Sequence, residues 1–345
     1  MFMTLFFQNE KLTIDEVISG SFEENIFSEF EIQVINFVKK WSSKNDLMEF
    51  VTSGSTGPSK VITISKDKMK YSAITTMNSI DPKKTIKNAI VCINPAFIGG
   101  AMLLVRAIIH HMNIYLVNPS STPDIPRVRN SMISHVPMQV INLLEKSGNH
   151  LSHLALLLIG GAPLPDRYQD NLQHLNAKVY QTYGMTETIS HIALKDIKKN
   201  EGYQVIGDAE IKTNEHSCLL IKGTITNHQW LATNDIVTVK AENRFEVVGR
   251  ADLIINSGGF KVNPESIESS IQDLIEVPIL IVPKEDQYLG QKVVLLLEND
   301  DELTIDQTIF DHLHPYEKPK EIHCIPAFKY TKSGKIDRFA TAKLI

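Results

Sequence analysis

Short apolar runs alternate with stretches long enough for helices, and this alternation constrains the fold more than any other feature of the chain. AIVCIN (89–94), NIYLVN (113–118), LALLLIGG (154–161) and AKVYQTYG (177–184) have the length and unbroken apolarity of strands covered on both faces. Between them, KDKMKYSAITTMNSI (66–80) and GGAMLLVRAIIHH (99–111) read as helices. Strands separated by helices make crossover units, so the pattern predicts an α/β architecture with parallel strands. The start, MFMTLFFQNEKLT, reads as a strand: it has neither the basic region nor the apolar length of a targeting peptide. From about residue 205 the texture changes to CLLIKG, DIVTVK and RFEVVG, which predict a small β-rich subregion. Beyond GRADLIINSGGFKV it changes again. NPESIESSIQDL opens a helix with Asn263 as N-cap, Pro264 at the first helical position and early acids. VPILIVP and KVVLLLE follow as strands, and Thr304 with Gln307 suggests a capping box before another helix. With 345 residues and 43% hydrophobic content, the chain can support a large domain, 1–251, and a small α+β domain, 252–345, meeting near Asp252.

Composition excludes several functions. Lys and Arg number 35 against 40 Asp and Glu, which gives no basic footprint for nucleic acid. Cys92, Cys218 and Cys324 are widely spaced, without a CxxC or a zinc pattern, so a reducing cytoplasm is expected rather than a disulfide framework. No apolar run reaches the roughly 18 residues of a membrane helix. The pair His110-His111 reads as a helix end near the surface. Nothing in the sequence fixes the oligomeric state.

The stretch FVTSGSTGPSKVITIS (50–65) carries Gly, Ser and Thr around one lysine. A Walker A loop needs GxxxxGK[ST] leading into a helix; here the spacing differs and VITIS, a strand pattern, follows. The loop is therefore predicted to join two strands as a hairpin. Its backbone N–H groups and hydroxyls can still face phosphate oxygens, with Lys60 adding a point charge.

TSGSTGPSK resembles the phosphate loop of the AMP-forming acyl-CoA synthetases, the adenylate-forming family that includes luciferases and peptide-synthetase adenylation domains. GGAPLP (160–165), QTYGMTET (181–188), TND (233–235), GRADLIINSGGFKVNPESIE (249–268) and SGKIDR (333–338) resemble further motifs of that family, in its order. The matches run from about residue 47 to 338. The resemblance implies ATP as substrate, Mg²⁺, CoA as acyl acceptor, and a carboxylic acid activated as an acyl-adenylate. For ATP it implies Thr52, Ser53, Gly54, Ser55, Thr56, Gly57 and Lys60 in the phosphate loop. Gly161, Ala162, Pro163, Gln181, Thr182, Tyr183, Gly184 and Met185 would then surround adenine and phosphate. Tyr183 would stack on adenine and Gly184 leave room for the ligand. Thr186 would sit at the α-phosphate, Glu187 hold Mg²⁺, Asp235 bind the ribose hydroxyls and Arg250 add a polar anchor. Lys335 would neutralise charge between carboxylate and α-phosphate. The tail domain would then swing about Asp252, remove Lys335, and bring Gly258, Gly259 and Lys261 to the CoA tunnel.

The sequence departs from the family pattern in places. Ser59 stands between Pro58 and Lys60, Lys329 replaces a common proline, Asn234 replaces a common glycine, and the chain is shorter than many relatives. NPAFIGGAM (94–102) replaces a histidine-containing gate motif, with Phe97 nearest that position. For the acid, YGMTETISHIAL and SHVPMQV resemble segments of the 2-succinylbenzoate–CoA ligases of menaquinone biosynthesis. That likeness points to a dicarboxylate with an aromatic ring, and to Gln139, Ser190 and His191 as donors to the carboxylate that does not react. Arg106, in the helix stretch 99–111, also lies near, though helix placement does not show which way it points. Two alternatives remain: a ligase for another acid that loads CoA or a carrier protein, and a non-catalytic adenylate-binding relative.

Overall fold

A computed structural model describes residues 3–51, 60–146, 150–331 and 335–345. The chain opens with β1 (Thr4–Phe6) and β2 (Lys11–Thr13), an antiparallel pair, then α1 (Ile14–Ser19) and α2 (Glu29–Ser42). Both helices begin with capping boxes, Thr13 with Glu16 and Ser28 with Glu31, which satisfy N–H groups that a helix start leaves without partners. Next come β3 (Leu47–Val51) and β4 (Val61–Ser65), paired antiparallel with Val51 opposite Val61. This is the hairpin expected around the phosphate loop, whose residues Thr52, Ser53, Gly54, Ser55, Thr56 and Gly57 lie outside the described residues.

The parallel core follows as α3 (Lys66–Ile80), β5 (Asn88–Val91), α4 (Ile98–Ile109), β6 (Asn113–Leu116), β7 (Ser131–His135), α5 (Pro137–Glu145), β8 (Leu156–Ile159), α6 (Gln169–Gln173) and β9 (Lys178–Met185). Strands β1, β6, β5, β7, β8 and β9 lie side by side, all parallel. Because β5 has β6 on one side and β7 on the other, the winding reverses there. A crevice at the carboxyl ends of the strands is where such sheets bind ligands. Both faces are covered: Met69, Met77, Leu103 and Leu104 pack on one, and Val140, Leu143 and Leu172 on the other.

The predicted β-rich stretch is present, and it continues the same sheet. β10 (Ser190–Asp196), β11 (Tyr203–Val205), β12 (Glu210–Thr213), β13 (Cys218–Lys222), β14 (Leu231–Ala241) and β15 (Arg244–Arg250) add antiparallel strands beyond β9, making thirteen among the described residues.

A second sheet begins three residues after Asp252. It contains β16 (Ile255–Ser257), β17 (Phe260–Val262), β18 (Ile279–Asp286), β19 (Gly290–Glu298) and β20 (Glu321–Ile325), flanked by α7 (Pro264–Ile271) and α8 (Arg338–Ala342). Asn263 caps α7 by accepting from Glu265 and Ser266 N–H, with Pro264 first in the helix, as the sequence predicts. The expected capping box at Thr304/Gln307 is corrected. Asp306 takes the cap, accepting from Thr308 N–H, and only a 3₁₀ turn, Gln307–Phe310, forms. An aspartate two residues before the first free N–H outcompetes a threonine farther back.

Candidate active site

Side chains from both sheets meet at the carboxyl edge of β8. The strand runs into Gly160 and Gly161, and Gly161 takes φ +96°, a left-handed conformation that a side chain would strain. A Cβ built there would lie 3.5 Å from Lys335 Cε. Lys335 reaches this point on a hairpin: its N–H donates to Thr331 Oγ1 at 3.2 Å, and Thr331 N–H donates to its carbonyl at 2.8 Å. Burial pushes the Lys335 ammonium below the ordinary lysine range, the positive charge of Arg250 adds to that shift, and Asp235 partly opposes it. A cation in such surroundings is set for a negatively charged ligand.

Asp235, on β14, is almost buried and accepts from Tyr183 OH at 2.5 Å and from Arg250 Nη1 at 3.1 Å. Arg250 also grips Asp252, through Nε at 2.9 Å and Nη2 at 2.7 Å, while Asn234 Nδ2 donates to Asp252 at 3.3 Å. The candidate ribose ligand and the candidate hinge residue thus share one guanidinium. Tyr183 is 9% exposed, packs edge-on against Phe245 at 5.1 Å and Tyr203 at 5.9 Å, and its hydroxyl is held protonated by burial and by the Asp235 carboxylate. The structure thus gives Tyr183 a packing role and a hold on Asp235.

Gly184 is exposed, and β10 packs against it where a side chain would stand: a Cβ would fall 2.1 Å from Ser190 O and 2.4 Å from His191 Cα. The turn between β9 and β10 carries Thr186 and an exposed Glu187, then Ile189 at φ +56° and Ser190 at φ +93°. Left-handed backbone at two consecutive non-glycine residues is costly and is retained where the surroundings enforce it.

Beneath that turn lies Arg106, from α4, 2% exposed. Its Nη2 donates to Ser190 Oγ at 3.1 Å and lies 3.5 Å from both ring nitrogens of His191. Burial and the neighbouring cation hold His191 well below the usual histidine range, so it is neutral, and Thr76 Oγ1 meets its Nε2 at 2.9 Å. Arg106 Nε has no hydrogen-bond partner, and no carboxylate among the described residues pairs with the guanidinium. Burial lowers its pKa to about 9, so it remains charged at neutral pH. A buried cation with vacant donors and no counter-charge is half of an ion pair. The signal for it in the sequence was an arginine inside the apolar run LLVRAII.

Gln139 is spent on the backbone. Its Oε1 accepts from Val136 N–H at 3.2 Å, next to His135 Nδ1 at 3.1 Å, and its Nε2 donates to Ser120 O at 2.9 Å. Phe97 is the half-buried N-cap of α4. Ala162 and Pro163 lie exposed after Gly161; Gln181 is buried in β9; Thr182 Oγ1 donates to Ile159 O at 3.3 Å. Met185 ends β9, and Lys60 lies exposed just before β4. Gly258 (φ +58°), Gly259 (φ +84°) and Lys261 sit on the β16–β17 hairpin, where Tyr316 closes against Gly258. Mg²⁺ takes oxygen ligands and is usually held by one or two carboxylates beside substrate phosphates, which an exposed Glu187 fits. Among the described residues no three His, Cys, Asp or Glu side chains form a self-sufficient metal site.

The AMP-binding enzyme family model matches residues 9–214. Among known proteins, the chain is similar to 2-succinylbenzoate–CoA ligase of Listeria monocytogenes, 24% identical over 94% of this chain and 76% of that one. It is similar also to the Staphylococcus epidermidis protein of the same name, at 26% over 83% and 67%. Among solved structures it resembles an acyl-CoA synthetase (AMP-forming)/AMP-acid ligase II-like protein from Dyadobacter fermentans. That match has 32% identity, covers 92% and 95% of the two chains and has a TM-score of 0.59. The Bacillus subtilis o-succinylbenzoate–CoA synthetase, solved with ATP and magnesium, shares the fold at 21% identity and TM-score 0.72, over 85% and 69%.

Proposed function

Because this chain belongs to the AMP-binding enzyme family, that of the AMP-forming acyl-CoA synthetases, we propose that it joins 2-succinylbenzoate to CoA in two steps. In the first, a carboxylate oxygen of the acid attacks the α-phosphorus of ATP; the bond to the β-phosphate bridging oxygen breaks, and pyrophosphate leaves. In the second, the CoA thiol, losing its proton, attacks the acyl carbon and AMP departs with the bonding pair.

Attack of an anion on an anionic centre needs charge compensation and alignment above all. Lys335, beside Gly161 and within the fields of Asp235 and Arg250, is the cation we assign to that task in the first step. Asp235, oriented by Tyr183 and Arg250, takes the ribose hydroxyls. Glu187 would hold Mg²⁺, which when bound would supply positive charge to offset that of the leaving pyrophosphate. The second step calls for Lys335 to withdraw as the part beyond Asp252 turns and brings Gly258, Gly259 and Lys261 forward. We assign residues 1–251 to the body and 252–345 to the mobile lid. The three free cysteines fit a reducing, cytoplasmic setting.

The substrate reading rests on Arg106. The acid has two carboxylates, and only one reacts. The other would complete the ion pair that Arg106 lacks, with Ser190 as a further donor and the neutral His191 as a polar wall. Gln139, committed to Val136 and Ser120, supports the start of α5 and is removed from the list of donors. The names of the Listeria and Staphylococcus relatives agree with this choice of acid. Pyrophosphate exchange with a panel of acids tests it: exchange with 2-succinylbenzoate above benzoate and octanoate supports the reading. Equal exchange with a monocarboxylate would remove the role given to Arg106, and no exchange with any acid would favour a non-catalytic binder.

A further inference from the structure

Lys335 lies beside the bridge between Tyr330 and Ile336, where Ile336 packs on the core of the second sheet and Tyr330 OH donates to Glu298 Oε2 at 3.1 Å. Asp337 N–H donates to Lys329 O at 2.7 Å, and Lys329 N–H to Thr341 Oγ1 at 3.0 Å, so the hairpin is tied to α8 at its base. Yet α8 has five residues, too few for a helix to persist by itself. Asp337 caps it, and Ala342 with Ile345 packs against the core of the second sheet; Arg338, its first residue, adds a contact of fixed geometry.

Arg338 reaches across to Glu268 on α7 in a two-pronged pair. Nη1 meets Oε1 at 2.7 Å, and Nη2 meets Oε2 more closely. Nη1 also donates to Ile281 O at 3.2 Å, while Glu268 Oε1 accepts from Ile281 N–H at 2.6 Å. Both side chains are mostly buried, at 21% and 16% exposed. A forked guanidinium–carboxylate pair fixes angle as well as distance, which a lysine cannot reproduce. α7 in turn is tied to the large sheet, since Asn263 Nδ2 donates to Val248 O at 3.0 Å.

We propose that the Arg338–Glu268 pair is a positioning device for Lys335. It transmits the placement of α7 against the body to the hairpin three residues away, and so sets where the ammonium stands during adenylation. Neither side chain touches the reacting atoms. The inference rests on the assignment of Lys335 to the adenylation step, and it goes beyond that assignment by naming what aims the lysine.

The test separates the half-reactions. Arg338→Lys, Arg338→Met and Glu268→Gln are compared with Lys335→Ala and the unaltered enzyme in pyrophosphate exchange. In parallel, 2-succinylbenzoyl-adenylate is supplied directly with CoA and thioester formation is followed. The expected result is a loss of about ten- to a hundredfold in adenylation turnover, the scale on which small misplacements act. Thioester formation and ATP affinity should hardly change, and Arg338→Lys should recover part of the loss. Equal losses in both half-reactions would reduce the pair to general scaffolding and overturn the proposal, as would full adenylation in all three variants. If Arg338→Met fails to fold, Glu268→Gln, which keeps volume and hydrogen bonding, decides the matter. Should Lys335→Ala retain adenylation, the assignment of Lys335 fails first, and that outcome is visible separately.

Discussion

At the scale of single residues, the site contrasts two cations, the half-buried Lys335 and the buried Arg106. Lys335 faces the cleft, and its positive form is the one the chemistry needs. Lys335→Ala should therefore cut adenylation by about two to three orders of magnitude, typical for removal of a group that stabilises transition-state charge. ATP affinity and melting temperature should stay nearly constant, and an equal loss of ATP binding would contradict the role. The pH dependence follows in sign. Burial lowers the lysine's pKa in the free enzyme, so raising the pH strips the proton early. The alkaline limb of kcat/KM for adenylation should fall below the ordinary lysine value of about 10.4; a limb at or above it would count against the assignment. Arg106 gives the opposite kind of prediction. Replacing a buried unpaired charge with an apolar side chain of similar volume is often neutral or stabilising. Arg106→Met should leave the melting temperature unchanged or raise it, and weaken 2-succinylbenzoate by about ten- to a hundredfold, the worth of a charged hydrogen bond. Benzoate should be little affected. The sequence showed that an arginine interrupts LLVRAII, but helix periodicity alone does not show which neighbours a buried head group will meet. Ser190 and His191 were legible as polar residues; their contact with Arg106 depends on how β10 crosses α4.

Among the elements, the hairpin of β3 and β4 and the helix over 66–80 could be read from pattern because the strand pattern VITIS and the helix-length stretch after it are local signals; the Ser65 cap of that helix emerges in the structure. The short helix after residue 304 could not, since Asp306 captured Thr308 N–H first. Gly184 is a further case. Its role comes from a strand 6 residues onward folding back against it, which the motif does not reveal. Gly184→Ala should destabilise by about 1–3 kcal/mol or more, as overpacking does against packed backbone, seen as a lower urea midpoint at unchanged slope. An unshifted midpoint would mean that β10 stands farther from β9 than the structure has it.

The molecule as a whole is two sheets joined near Asp252, with Lys335 delivered from the smaller side to the carboxyl edge of the larger one. Alternating strands and helices made the parallel core legible. The single sheet that continues from β9 through β12 was not, because sequence shows strands but not which edges pair. Docking of the two parts includes Arg167, whose Nη1 donates to Gln272 O at 3.2 Å and Ile275 O at 3.3 Å. Arg167→Ala should slow adenylation several-fold, by leaving the closed arrangement less populated, and spare thioester formation from supplied adenylate. A loss confined to the thioester step would reverse the proposed order of the two arrangements. The most direct test of the central claim is CoA-ester formation from 2-succinylbenzoate, ATP, Mg²⁺ and CoA, with benzoate and octanoate competing. The account predicts selective formation of succinylbenzoyl-CoA with release of AMP and pyrophosphate; preference for a monocarboxylate, or AMP release without a CoA ester, would contradict it.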